Sequence, residues 1–254
     1  MAETLAGLGV LVTRPQDQAE PLCRLIDAAG GRPLRFPGIA ILPARDPADV
    51  VHLLAADWDL LIFVSRNAVE YSLPLFPGGR LPASVAVAAV GQATASALSA
   101  VGREADLMPE HRYDSEGLLE LPELRRMSGK RVLIVRGNGG LAVLGDTLRD
   151  RGAQVDYAEV YRRESPQIEI APWIERLRDE VDLVTATSAE IVQNLYRAFG
   201  PHGRALLVER PLVVVSARIA EAAEQLGFKC VRTAERADDQ AILKVLTELA
   251  ARPS

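Results

Sequence analysis

Apolar runs, each followed by an amphipathic segment, recur along the chain and pair with one another at a nearly constant distance. VLVTR, ending at Arg14, resembles VLIVR, ending at Arg136. WDLLIFVSRNAV resembles VDLVTATSAEIV and aligns Ser65 with Ser188. VAVAAVGQATASAL resembles PLVVVSARIAEAAE and aligns Gly91 with Ser216. The offset stays between 122 and 125 residues, and SEGLL from Ser115 has its counterpart in DQAIL from Asp239. Repeats in constant order and spacing predict two copies of one α/β unit, since each apolar run is short enough for a strand and each amphipathic stretch has helical period. Ala19, Leu22, Cys23, Ile26 and Ala29 mark one such helical face, which Gly30 and Gly31 then end. Runs that are apolar on every position, such as LLIF and VLIV, suit strands covered on both faces, as in parallel sheets.

The 254 residues exceed the usual size of a single domain, so two modest domains fit the length as well as the repeat does. Formal charge is −5, which gives no general attraction for nucleic acid. The first residues show no basic leader and no apolar run of membrane-spanning length, so a cytoplasmic protein without a membrane segment is expected. Cys23 and Cys230 lack a CxxC partner, and His52, His111 and His202 have no ligand-like spacing, so no metal site is expected. Lysine occurs only at Lys130, Lys229 and Lys244; the other basic residues are arginine, which suits bidentate carboxylate binding but also follows from a bias in base composition.

The ordered motifs VLVTRP, FVSRNAV, AVGQATASAL, DSEGLLEL, KRVLIVRGNGG and VDYAEVYRR resemble the uroporphyrinogen-III synthase family over nearly the whole chain. That resemblance implies two flavodoxin-like parallel-sheet domains joined by a two-stranded connector, with substrate in the cleft between them. Domain one would take residues 1–36 and 165–254, the inserted domain two residues 43–158, and the connector strands residues 37–42 and 159–164. Proline-bounded extended segments at residues 37–43 and 158–166 agree with such crossings.

The implied substrate is hydroxymethylbilane, a linear tetrapyrrole with eight carboxylates, closed to uroporphyrinogen III with loss of water and inversion of ring D through a spiro intermediate. No cofactor is implied. The chain would act as a monomer, with transient handover of substrate from hydroxymethylbilane synthase. Strand ends and helix N-termini offer backbone N–H groups to anions, so the substrate-binding candidates are Thr13 and Arg14, Ser65 and Asn67, Gly91 and Thr94, Arg136 and Gly137, Thr187 and Ser188, and Ser216 and Arg218. Small polar residues in such turns also serve simply as helix caps. Tyr161 in EVYRR matches the family tyrosine that faces the cleft, and its phenol is the candidate general acid for hydroxide departure. Where the family's second turn often carries threonine this chain has Ile219, so a hydroxyl contact is expected to be missing there.

Two other readings stay open at this stage. Gly137, Gly139 and Ala142 spell GxGxxA with Asp156 about 20 residues on, a dinucleotide-binding pattern, although TRPQDQ in the other repeat has no glycines. A non-catalytic two-lobed binder of an anionic small molecule would show the same repeats.

Overall fold

The computed structural model describes residues 4–140 and 142–251. It divides into two units, one taking the chain up to Ala40 and from Glu164 onward, the other taking Ile41–Arg163.

In the first unit the strands are β1 (Gly9–Val12), β2 (Arg32–Arg35), β8 (Leu183–Ala186), β9 (Leu212–Val214) and β10 (Val231–Thr233), in the order β10-β9-β8-β1-β2. All four pairings are parallel. Counted along this unit, that is the 2-1-3-4-5 order of flavodoxin-like folds, with its switch point between β1 and β8. Leu22, Cys23 and Ile26 of α1 (Glu20–Ala28) and Ile242 and Leu246 of α11 (Asp239–Ala250) pack on Val10 and Val12. The helix ends where the sequence predicts, with Gly30 at φ 81°, a conformation that side-chain-bearing residues rarely adopt. Phe36, at the end of β2, stacks on Phe199 at 5.2 Å and meets Trp173 of α7 (Ala171–Asp179) edge-on at 4.9 Å.

The second unit has β3 (Ala40–Pro43), β4 (Leu60–Phe63), β5 (Ala86–Ala89), β6 (Arg131–Gly137) and β7 (Gln154–Glu164), ordered β3-β7-β6-β4-β5. An isolated parallel bridge from Ala88 to Leu107 stands where β10 stands in the first unit. The duplication therefore maps β8, β9, β1 and β2 onto β4, β5, β6 and β7, with the strands entered in a permuted chain order. Alternation along the strands sends Leu61, Phe63, Leu133 and Val135 to one helical layer and Leu60, Ile62, Val132 and Ile134 to the other. Val50 and Leu54 of α2 (Pro47–Ala55) and Leu98 of α4 (Gln92–Ala100) pack on the first face, and Leu144 and Leu148 of α6 (Val143–Asp150) on the second.

The segment expected as a separate connector strand at residues 159–164 is the second half of β7, which runs unbroken from Gln154; β3 lies beside it at the sheet edge. The pairing of β6 with β7 shifts by one residue, from Arg136 opposite Glu159 to Gly137 opposite Tyr161, so Val160 is the extra residue of a bulge within β7.

One carboxylate pins each switch-point pair. Asp182 donates its N–H to Gly9 O and accepts Gly9 N–H on its side chain at 2.7 Å; Asp59 does the same with Arg131, accepting at 2.8 Å. Asp106 likewise accepts Val87 N–H at 2.7 Å. The Arg131 N–H and then Lys130 hold Asp59 below the ordinary carboxylate range, and Arg103 and then Val87 N–H do so for Asp106. A depressed folded-state pKa contributes stability that is present above the unfolded value and lost as pH falls through the folded one. Unfolding free energy should therefore decline below about pH 4, and denaturant titrations of the Asp59→Asn/Asp106→Asn variant should show a flatter decline than the parent.

Candidate functional site

In open parallel sheets, ligands bind beyond the carboxyl ends of the strands at the switch point. In the second unit that point lies where β6 and β4 end, and Tyr161 of β7 reaches it. Its ring is 6% exposed. Directly beneath it is Gly137: a Cβ there would lie 2.4 Å from Cε2 and 2.5 Å from Cζ of Tyr161. The Tyr71 ring sits 5.8 Å away at 41° and donates its own hydroxyl to Ile41 O at 3.0 Å. Tyr161 Oη is 3.1 Å from Ser65 Oγ. Ser65 caps α3 (Arg66–Ser72), accepting Ala68 N–H at 3.1 Å. Asn138 N–H donates to Tyr161 O, and Asn138 Oδ1 accepts Arg163 N–H, so the turn after β6 is stitched to β7 just beyond the tyrosine.

Arg136 proves to be part of β6, and its guanidinium is 3.3 Å from Glu159 and lies 4.6 Å over the Tyr157 ring. Its repeat counterpart Arg14 is paired with Asp239. Both arginines are thus held largely buried by acidic partners of their own unit, with side chains 15% and 16% exposed.

Thr13 is fully buried: its hydroxyl donates to Thr185 O at 2.5 Å, and that of Thr185 donates to Leu11 O at 3.2 Å. Thr13, expected in a substrate-binding turn, thus spends its hydroxyl on the β1–β8 seam. Thr94 is also buried, on the inner face of α4, as is Ile219 on α10 (Ala217–Gln225), each 4% exposed. The missing hydroxyl at Ile219 therefore removes a group whose counterpart faces inward.

The remaining candidates lie at helix starts. Ser188 caps α8 (Ala189–Ala198) by accepting Ile191 N–H at 3.1 Å, and Ser216 caps α10 by accepting Ile219 N–H at 3.4 Å. Gly91 stands at the matching position of α4 and has no side chain to spend on the cap. Thr187, in the turn after β8, and Asn67, in the first turn of α3, are half-buried. Arg218 is exposed in the first turn of α10 with no ion pair among the described residues. A cation at that end of a helix is electrostatically disfavoured unless an anion joins it.

The glycine motif does not form a dinucleotide site. Gly137 is inside β6 under Tyr161, and Asp156 pairs with Leu133 near the amino end of β7, whereas a ribose would be held at the carboxyl end. Among the described residues no cluster of three or more potential metal ligands occurs, and no helix is long and apolar enough to cross a membrane.

Sequence reasoning named Gly137 for backbone approach to substrate; its observed task is to seat the Tyr161 ring. Replacing it with alanine should destabilise the fold by about 1–3 kcal/mol, the usual range for overpacking. In a Tyr161→Ala background the same substitution should cost little, a non-additivity that urea unfolding of the four proteins measures directly.

A family profile described as uroporphyrinogen-III synthase HemD matches residues 20–244. The chain is 36% identical over 245 residues to the uroporphyrinogen-III synthase of Escherichia coli (strain K12), covering 94% of this chain and 100% of that one. Among solved structures it resembles a mutant uroporphyrinogen III synthase from the extremely thermophilic bacterium Thermus thermophilus, with TM-score 0.63, 23% identity, and coverage of 96% of this chain and 98% of that one. It resembles equally the uroporphyrinogen-III synthetase of Helicobacter pylori, with TM-score 0.63, 16% identity, and 96% and 99% coverage. Those two likenesses concern the fold alone. The profile match over most of the sequence and the full-length relative establish that this chain belongs to the uroporphyrinogen-III synthase family.

Proposed function

We propose that the protein converts hydroxymethylbilane to uroporphyrinogen III with release of water, and that Tyr161 is its proton donor. The observation that carries this reading is the phenol held at the switch point by Gly137 beneath, Tyr71 beside and Ser65 at its oxygen. Hydroxide is a poor leaving group; a proton or short hydrogen bond from Tyr161 Oη to the departing oxygen lowers that barrier. The resulting azafulvene carbon is attacked by the substituted carbon of the last pyrrole. The spiro intermediate then fragments and recloses with that ring reversed, and a proton lost from carbon restores aromaticity. Atoms balance as linear substrate to macrocycle plus water.

Selecting this course over direct end-to-end closure requires the chain to be held folded. The groups proposed to hold its carboxylates are the backbone N–H groups at the helix starts behind Gly91, Ser188 and Ser216, together with Asn67, Thr187 and Arg218. Arg218 has the strongest case, being a cation at a helix start without an acidic partner among the described residues. Arg14 and Arg136 contribute field more than contact, since Asp239 and Glu159 already engage them. Because hydroxymethylbilane closes unaided to the wrong isomer, the protein must work beside its supplier. Cytoplasmic action, as a monomer taking substrate by transient handover from hydroxymethylbilane synthase, is part of the proposal.

The decisive experiment incubates the metal-stripped protein with freshly made hydroxymethylbilane, oxidises the products and separates the uroporphyrin isomers. Isomer III is expected to predominate; isomer I alone would leave a binder without this catalysis. Tyr161→Phe is expected to lower kcat about 100-fold, the lower end of what a general acid contributes, with KM little changed. Arg218→Ala is expected to raise KM instead.

A further inference from the structure

The hydrogen bond between Ser65 and Tyr161 joins two hydroxyls, either of which can donate, and only one direction leaves the phenolic proton for substrate. Ser65 Oγ already accepts Ala68 N–H as the cap of α3, and among the described residues its one other partner is Tyr161 Oη. A serine hydroxyl carries a single proton. Were the phenol to donate to Ser65, it would spend the proton that donation to the departing oxygen requires. In the reverse order the cap is kept, with Ala68 N–H donating to Ser65 Oγ and Ser65 O–H donating to Tyr161 Oη, and the phenolic proton has no protein acceptor among the described residues. The phenolic proton is then left to point away from the serine.

We propose that Ser65 is a positioning residue that acts through Tyr161 and does not itself hold a substrate carboxylate. Resting on the reading of Tyr161 as proton donor, this assigns the serine two tasks. It fixes Oη at one end of a ring that Gly137 and Tyr71 already restrain, and it turns the phenolic proton outward. A chain of hydrogen bonds running in one sense also polarises each member, which strengthens the terminal donor. The duplication supplies an internal comparison: Ser188, the repeat counterpart, makes the same cap contact with Ile191 N–H and among the described residues meets no tyrosine hydroxyl. The cap is thus common to both copies, and the contact with a phenol belongs to one.

A double-mutant cycle on the full-length protein tests the assignment. Ser65→Ala should lower kcat about tenfold, the loss expected for a hydrogen bond of ordinary strength, with KM unchanged; Ser65→Thr, which keeps both cap and hydroxyl, should recover most of the rate. In the Tyr161→Phe background, Ser65→Ala should have no further effect on kcat. A loss in kcat of the same size in both backgrounds, or a change confined to KM, would overturn the proposal and return Ser65 to substrate contact. A Tyr161→Phe enzyme with parental turnover would overturn the donor assignment and the Ser65 proposal together, whereas failure of the parent to make isomer III would sink the function itself. Helix loss in Ser65→Ala is separated from these outcomes by its unfolding midpoint, which Ser65→Thr should restore.

Discussion

Two aspartates hold the registers on which both sheets depend. A central strand in a parallel sheet begins with a backbone N–H that its neighbour's backbone does not automatically satisfy, and a side-chain acceptor there adds a hydrogen bond that ties the two strands. Asp182 meets Gly9, and Asp59 meets Arg131, each through one backbone and one side-chain hydrogen bond. Fixing β1 against β8 and β6 against β4 at their amino ends determines which residues emerge at their carboxyl ends, since side chains alternate with a strict period of two. The placement of Thr13 inside and Ser65 at the helix start thus follows from contacts a full strand length away.

From that shared frame the two copies diverge. The first unit closes its switch point with a seam of hydroxyls, Thr13 to Thr185 and Thr185 to Leu11, and with the Arg14–Asp239 pair. In the second unit a register shift between β6 and β7 after Arg136 brings Tyr161 opposite Gly137. The irregularity, the glycine and the tyrosine are one device: without the shift the ring would not meet the glycine, and without the glycine it would not fit.

Much of this was legible in the sequence. The repeat offsets that align Ser65 with Ser188 foretold two similar units, and fully apolar runs such as LLIF foretold strands covered on both faces. The capping roles of Ser65, Ser188 and Ser216 followed from residue type and position. What periodicity could not express was direction and contact. Thr94 read as an available hydroxyl, and Thr13 as part of a substrate-binding turn, because a turn signal does not say which side chain faces inward. Arg14 and Arg136 read as candidates for substrate because their acidic partners are distant in sequence or lie on another strand. Gly137 read as part of a phosphate-binding motif because the ring above it arrives 24 positions later along β7.

The permuted order of the two copies has a consequence for how the chain is made. The second unit occupies one uninterrupted stretch, Ile41–Arg163, so all its strands have emerged before the first unit can be completed. The pair β1–β2 is synthesised first, yet the strand that must flank β1 begins at Leu183. At ~5–20 residues per second, synthesis of the intervening chain leaves that apolar pair without its neighbour for on the order of ten seconds. During this interval VLV of β1 is an unpaired sheet edge of the kind that recruits other chains. The nascent protein's exposure to aggregation is therefore set at β1, by a partner strand encoded more than half this sequence later.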